Sequence, residues 1–184
     1  DGNLALEDIR ADRISIQAED GDLEARGIEG ELFLTSDDGG IRIFDCKISW
    51  GRFRLEDGDL EIDNCTGDFD IVSDDGYVQR RSIESSELDV RVEDGDIRLE
   101  LVGGEPDDIN LESDDGRINV ELDSSIALEF SLASDDGRIT VDVPDGAVTE
   151  ERRSFVSGEL NGGGGRLRVR SSDGSVKLSV SSSG

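Results

Sequence analysis

Apolar and polar residues alternate along most of this chain, and an Asp-Gly dipeptide interrupts the alternation at regular intervals. Two residues after each regularly spaced glycine the chain carries Leu, Ile or Val, and four residues after it the residue is apolar except at Arg80. The regularly spaced glycines are Gly2, Gly21, Gly39, Gly58, Gly76, Gly95, Gly116, Gly137 and Gly174. Strict alternation on both sides of a turn dipeptide predicts two β-strands joined by that turn.

The spacing of these turns predicts a repeat architecture. Successive glycines lie 18 to 21 residues apart until a last step of 37 residues, in which one turn is lost. A fixed period of this size is typical of solenoids, in which each repeat forms one coil. Asp-Gly between alternating strands is also a strong hairpin signal, so an antiparallel β-meander is the alternative. Both interpretations are all-β.

Two cysteines favour the solenoid. Cys46 and Cys65 each lie seven residues after a turn glycine, so they hold the same place in successive repeats. Stacked coils would bring them about 4.8 Å apart, whereas a meander would separate them by two strand spacings, about 9.6 Å. We therefore predict one all-β solenoid domain over residues 1–180, with an irregular insertion or cap at 144–166 and a flexible tail at 181–184.

The same placement makes Cys46 and Cys65 a disulfide candidate, because a bridge needs Cα atoms within about 7 Å of each other. A reduced pair of buried thiols is the alternative. A catalytic thiol is not expected, because the chain contains no histidine that could activate it.

The charge of the chain excludes several classes of protein. With 46 Asp and Glu against 19 Lys and Arg, the formal net charge is −27, which argues against nucleic-acid binding. No apolar run is long enough to predict a membrane span. A dense carboxylate surface is typical of high-salt environments, where salt screens its self-repulsion. We expect an extracellular or cell-envelope location, with the cytoplasm of a salt-loving organism as the alternative.

In a solenoid the turn aspartates would form a ladder along one edge. Such a ladder could hold Ca²⁺ or other hard cations, which prefer oxygen ligands. The best candidate ligands are the pairs Asp37 and Asp38, Asp74 and Asp75, Asp114 and Asp115, and Asp135 and Asp136. The favoured alternative is that each aspartate caps its own turn while the glycine supplies a positive φ. The nine-residue Gly/Asp rhythm of Ca²⁺-binding β-rolls is missing.

The C-terminal part of the chain resembles a known family. The residues that carry the resemblance are Gly158-Glu159-Leu160-Asn161, Gly162-Gly163-Gly164, Leu167, Val169, Ser171-Ser172, Gly174, Val176 and Leu178. They resemble the terminal segment of a bacterial and archaeal β-strand-repeat family of unknown function whose members are described as adhesins. Gly165-Arg166 stands where that family commonly has prolines. The resemblance covers roughly residues 1–180 and implies a β-helix-like solenoid of the cell envelope without catalytic residues.

We therefore expect a non-catalytic, acidic envelope or surface module, an adhesin that serves as a rigid binding or structural scaffold. It needs no cofactor, and its partner would be a surface, a matrix or a protein ligand. One alternative is a subunit that assembles end to end into a homo-oligomer or filament. Another is a polysaccharide-active β-helix enzyme, which needs two carboxylates about 5 to 9.5 Å apart. The enzyme is disfavoured because acids recur in every repeat instead of marking one cleft.

Overall fold

The computed structural model of the chain describes residues 2–181, which form 19 strands and no helix. Consequently, none of the described residues belongs to a helix that could cross a membrane. The strands that follow the Asp-Gly turns are Leu4–Glu7 (β1), Leu23–Arg26 (β3), Ile41–Phe44 (β5), Leu60–Asp63 (β7), Val78–Glu84 (β9), Ile97–Gly103 (β11), Ile118–Asp123 (β13), Ile139–Asp142 (β15) and Val176–Ser181 (β19). We refer to these strands as the first face.

The second face consists of the strands that precede the turns and of a hairpin. Its strands are Arg10–Ala18 (β2), Glu29–Asp38 (β4), Lys47–Asp57 (β6), Thr66–Asp75 (β8), Glu87–Asp94 (β10), Asp108–Asp115 (β12), Leu128–Ser134 (β14), Val148–Arg152 (β16), Phe155–Leu160 (β17) and Gly165–Ser171 (β18). Neighbours within each face are parallel, except that β17 runs antiparallel to β14 and to β16. The chain is therefore a β-solenoid, as predicted, and the meander is wrong.

The core lies between the two faces because the alternating apolar residues point inward from both. Ile43 and Ile62 lie in register on adjacent coils and are fully buried. At the corner between the faces, Ile28, Cys46, Cys65 and Ile83 are all buried, each seven residues after its turn glycine. The cysteines thus replace isoleucine in a stack of equivalent core positions.

The Asp-Gly turns stack directly on one another. Gly58 has a φ of 135°, and a Cβ at this position would collide with the carbonyl oxygen of Gly39 on the adjacent coil. Only glycine combines this φ with such a close approach of two backbones. The dipeptide detected in the sequence is therefore required by coil stacking and by the turn itself.

The last coil is out of sequence order. β18 lies between β12 and β14, and β19 lies between β13 and β15, so the C-terminal coil is inserted between two earlier coils. Residues 144–166, for which we predicted an irregular insertion or cap, contain the antiparallel pair β16 and β17, and β17 covers the outer edge of β14. Ser181 of the predicted tail ends β19; residue 1 and residues 182–184 lie outside the described part of the chain.

Ion pairs and hydrogen bonds link the inserted coil to its neighbours. The outward side of β18 is cationic, and Arg168 lies 3.0 Å and Arg166 3.9 Å from the carboxylate of Asp108 on β12. Asn161, with a φ of 52°, donates hydrogen bonds from Nδ2 to the carbonyl oxygens of Ser124 and Ile126 at 2.9 and 2.8 Å. These contacts fix the segment that precedes β18, which then runs between β12 and β14.

Candidate binding face

The outward residues of the second face form rows that run across the coils. One row contains Arg52, Asp70, Asp89 and Asn110, which lie in register on β6, β8, β10 and β12. Each lies six residues before its turn glycine. Because stacked coils are about 4.8 Å apart, side chains of such a row can contact one another or a ligand that runs along the solenoid.

The chain's only tryptophan lies beside this row. Trp50 is half-buried and belongs to the part of β6 where the register with β8 shifts, between Ile48 and Gly51. A Cβ on Gly51 would lie 2.5 Å from Cδ1 of Phe69, so the glycine leaves room for that ring. The irregularity in β6 thus coincides with both the indole on the surface and the Phe69 ring in the core.

A groove of about 500 Å³ follows the row. Among the residues that line it are Trp50, Arg52, Asp70, Asp89, Arg91 and Asn110, and we refer to these six as the Trp50 groove. The groove combines an aromatic ring, guanidinium donors, carboxylate acceptors and an amide that is both donor and acceptor.

Two arginines hold one carboxylate in the middle of the groove. Oδ2 of Asp70 lies 2.8 Å from Nη2 of Arg54 and 3.1 Å from Nε of Arg52. Partial burial raises the pKa of Asp70, but the hydrogen bonds and charges of Arg54 and Arg52 outweigh that effect and leave the pKa below its usual value. Asp70 is therefore ionised at neutral pH, when it accepts hydrogen bonds but cannot donate one.

The next coils repeat this pairing more loosely. Nη2 of Arg91 lies 2.6 Å from Asp89 on the same strand, and its Nε lies 3.5 Å from Glu112. Nδ2 of Asn110 donates to Oδ1 of Asp89 at 3.3 Å. Donors and acceptors are thus fixed in alternation along the groove, which suits a ligand that offers both at short intervals.

The predicted aspartate ladder exists as a stack of carboxylates. Asp38, Asp57, Asp75, Asp94 and Asp115 lie in register on successive coils. Desolvation and the charges of Asp57 and Asp94 raise the pKa of Asp75, and a hydrogen bond with Asp173, together with desolvation, raises that of Asp115. Neighbouring carboxylates of the ladder therefore repel one another.

The ladder shows no built metal site among residues 2–181, where no three His, Cys, Asp or Glu side chains converge as a ligand set. Of the eight predicted ligands, Asp37 is half-buried and Asp38, Asp74, Asp75, Asp114, Asp115, Asp135 and Asp136 are exposed. Asp135 lies 3.5 Å from Arg170. Cation binding by the ladder stays a prediction.

The two cysteines lie next to each other in the core. The backbone N–H of Cys46 donates to Sγ of Cys65 at 3.3 Å, and the N–H of Ile28 donates to Sγ of Cys46 at the same distance. Each thiol is also close to a carbonyl oxygen of its own coil, Phe44 O at 3.1 Å and Asp63 O at 3.2 Å. Both are free thiols in this structure, and the disulfide stays a prediction.

Sequence reasoning identified the cysteines and the ladder but missed the Trp50 groove. Asp70 and Asp89 were not distinguishable from the other acids by type. The available signal was position, since aligning the repeats on their turn glycines places Arg52, Asp70, Asp89 and Asn110 in one column. Trp50 precedes that column by two residues in its own repeat.

The comparison with known families agrees with this architecture. The family model described as Toastrack DUF4097 matches residues 1–79 and 31–179, and together these two matches cover nearly the whole chain. No curated protein and no solved structure matches the chain at a significant level.

Proposed function

We propose that this chain, which belongs to the Toastrack DUF4097 family of β-repeat domains, is a non-catalytic scaffold that binds an uncharged polysaccharide through the Trp50 groove. The observation that carries this proposal is the groove itself, an indole beside a fixed alternation of donors and acceptors. Sugars present apolar ring faces that pack on aromatic side chains and hydroxyl groups that both donate and accept hydrogen bonds.

The charge distribution favours an uncharged ligand. The molecule has a net charge of −27, which repels anionic polymers at a distance. Within the groove, Arg52 is paired with Asp70 and Arg91 with Asp89, so little unbalanced positive charge is left for an anionic sugar. Neutral hydroxyl groups can form hydrogen bonds with these ion pairs without displacing either partner.

A scaffold role is favoured over an enzymatic one. A glycosidase needs a carboxylic acid whose pKa is raised so that it can protonate the leaving group. In the Trp50 groove, Arg54 and Arg52 lower the pKa of Asp70 instead. The carboxylates with raised pKa values, Asp75 and Asp115, belong to the turn ladder and do not line the groove.

We propose that the protein acts outside the cell. A polysaccharide ligand is a component of matrices and cell envelopes, so an adhesin-like module of the envelope or surface is the setting in which this groove would act. The acidic surface would be stable in a salt-rich medium, because screening shortens the range of carboxylate repulsion to about 3 Å near 1 M salt. The cytoplasm of a salt-loving organism remains the second location that fits the same charge.

Trp50 is the natural reporter for the test, because it is the only tryptophan. We would titrate the protein with a soluble β-glucan, a mannan and a dextran, with alginate as the anionic contrast, and follow indole fluorescence and heat of binding. A neutral polysaccharide should shift the emission, Trp50→Ala should abolish the binding heat, and Phe44→Ala on the first face should preserve it. Absence of binding to every neutral polymer would overturn the proposal, and release of reducing ends would overturn its non-catalytic part.

A second candidate function is self-assembly, and the N-terminal coil favours it. Among the described strands, β1 pairs only with β3 and β2 only with β4, so one edge of each is unpaired. Leu4 is 42% exposed, and Leu6, Ile9, Ile14 and Ile16 are only partly buried. Unpaired edges next to apolar side chains are templates for pairing with another chain.

Light scattering tests this candidate. If copies pair through the first coil, the mass should increase with protein concentration, and Leu4→Lys should restore the monomer mass. The matched control is Val102→Lys, which changes a comparably exposed apolar residue away from that edge, 40% exposed on β11. A constant monomer mass at all concentrations would exclude assembly through this edge.

A further inference from the structure

The row of outward side chains on the second face continues past β12. Its next members are Arg168, Ser131 and Ser157, which lie in register on β18, β14 and β17. In the other direction, past β6, the next member is Phe33, whose ring is covered by the guanidinium of Arg13 at 4.0 Å from the ring centre. The row is therefore covered towards the N-terminal coils and continues through the inserted coil on the other side.

A second cavity, of about 330 Å³, follows this continuation of the row. Ser131, Thr149 and Ser157 line it, together with two glutamates and two arginines whose charges balance. The hydroxyl groups of Ser131 and Ser157 are half-buried and have no hydrogen-bond partner among residues 2–181. We refer to this depression as the Ser131 cavity. It presents unused hydroxyl groups without net charge, which suits the hydroxyl groups of a neutral sugar.

The Trp50 groove and the Ser131 cavity meet at a cluster of ion pairs. Asp108 lines the groove, whereas Arg166 and Arg168 line the cavity. Nη1 of Arg168 lies 3.0 Å from Oδ1 of Asp108, and Nη2 of Arg166 lies 3.9 Å from its Oδ2. These contacts place the end of one depression against the beginning of the other. The inserted strand β18 therefore joins two depressions that follow one row.

The joined surface is twice as long as the Trp50 groove. From β6 to β12 the row crosses three strand spacings, about 14 Å, and from β6 to β17 it crosses six, about 29 Å. The members of the row are evenly spaced, because neighbouring strands lie about 4.8 Å apart. A β-1,4-linked chain of hexoses is extended and advances by a similar distance per sugar, whereas the α-1,6-linked chain of dextran is flexible.

We propose that the Ser131 cavity is a second subsite of the same binding site and that the ligand is an extended β-1,4-linked glucan or mannan. This inference rests on the proposed function and specifies the shape and length of its ligand. The chain lies along the row, with one end packed on the indole of Trp50. Farther along, its hydroxyl groups exchange hydrogen bonds with Ser131 and Ser157. The inserted coil is then part of the binding site, because β18 carries the row from β12 to β14.

A series of oligosaccharides of increasing length tests the inference. In titration calorimetry with cello-oligosaccharides and manno-oligosaccharides, affinity should rise from the trimer to the hexamer, because a trimer reaches only across the Trp50 groove and a hexamer spans both subsites. Ser131→Ala/Ser157→Ala should weaken hexamer binding by about fivefold for each hydroxyl lost. The same double variant should bind the trimer like the wild type, which also shows that it is folded. The control Thr140→Ala, which removes an exposed hydroxyl from β15 on the first face, should change neither affinity.

The outcomes separate this inference from the proposed function. Equal affinities for trimer and hexamer, or a hexamer affinity that the double serine variant leaves unchanged, would overturn the second subsite while polysaccharide binding by the Trp50 groove stands. Binding of dextran but of neither oligosaccharide series would also overturn the inference alone. Absence of binding to every neutral polymer and oligomer would overturn the inference and the proposed function together.

Discussion

The Asp-Gly turns are of two kinds, because the residue three positions before the turn glycine is a buried serine in some and apolar in the others; the serines are Ser36, Ser73, Ser113, Ser134 and Ser171. Ser171 is fully buried, donates its hydroxyl proton to the carbonyl oxygen of Gly116 at 3.2 Å and accepts the N–H of Gly174 at 2.9 Å. In the Glu-Asp-Gly turns the equivalent core position is apolar, as at Leu55 and Val92. Hydrogen bonds from the serine therefore link the turn backbones of two coils. In the other turns, apolar side chains pack at the same position.

We predict that Ser171→Ala destabilises the protein by about 1 to 3 kcal/mol, the cost of leaving buried polar groups without partners. The free energy of unfolding from urea denaturation is the measurement. Ser172→Ala is the matched control, since its half-buried hydroxyl makes only a 3.5 Å contact with Asp114, and it should change stability by less than about 0.5 kcal/mol. Equal effects of the two substitutions would contradict the role given to Ser171.

At the scale of elements, coil spacing was predictable and coil order was not. The turn glycines specify the strands and their parallel register. The coils stack so closely at the turns that a side chain on a turn glycine would collide with the backbone of the neighbouring coil. The 37-residue step between Gly137 and Gly174 revealed a lost turn. Nothing in that local pattern states that β18 pairs with β12, because the residues that meet in this pairing, such as Arg168 and Asp108, lie about 60 residues apart in the chain.

The Trp50 groove was only partly predictable, since the repeat register places Arg52 beside Asp70 but does not reveal the irregularity beside Trp50. Outward positions of a strand follow no hydrophobic pattern, so alternation predicts only that Arg52 and Asp70 are exposed or half-exposed. Which outward residues meet is decided by register across coils and by the irregularity between Ile48 and Gly51. Arg80, in contrast, was visible as the one exception to the inward pattern, although its burial without a partner was not.

The inserted coil gives a prediction at this scale. Arg168→Glu should destabilise the native order by about 1 kcal/mol, because it replaces an attraction to Asp108 by repulsion on a partly exposed surface. The double variant Arg168→Glu/Asp108→Arg restores opposite charges at this pair and should recover part of the loss in urea denaturation, although it loses the contact of Asp108 with Arg166. Arg152→Glu is the control, since that arginine pairs only locally with Glu150. Failure of the double variant to recover stability would exclude the ion pair as the cause.

At the scale of the whole molecule, the net charge of −27 should make stability depend on salt. Screening acts on exposed charges, and the stacked turn carboxylates are exposed. We predict that Tm rises between dilute buffer and 2 M NaCl. If the predicted cation ladder exists, millimolar Ca²⁺ should raise Tm beyond the effect of equal ionic strength, whereas an unchanged melting curve across the salt series would contradict the repulsion argument.

The pH dependence of stability follows from the carboxylates whose pKa values shift in opposite directions. For Asp75 and Asp115 the folded pKa is raised, so the repulsion that opposes folding at neutral pH is relieved as pH falls through the folded pKa towards the unfolded value of about 3.9. For Asp70 the folded pKa is lowered, so its contribution is present above the unfolded value and is lost as pH falls through the folded pKa.

The two effects together predict a maximum of stability at mildly acidic pH. Tm should rise as pH is lowered from neutral, because the ladder takes up protons first, and should fall again once Asp70 is protonated and releases Arg52 and Arg54. Asp75→Asn/Asp115→Asn should raise Tm at pH 7 and flatten the rise, whereas Asp70→Asn should lower Tm at pH 7 and leave the rise in place. A Tm that falls steadily from pH 7 downward in the wild type would mean that paired carboxylates, and not the turn ladder, govern the electrostatics of this solenoid.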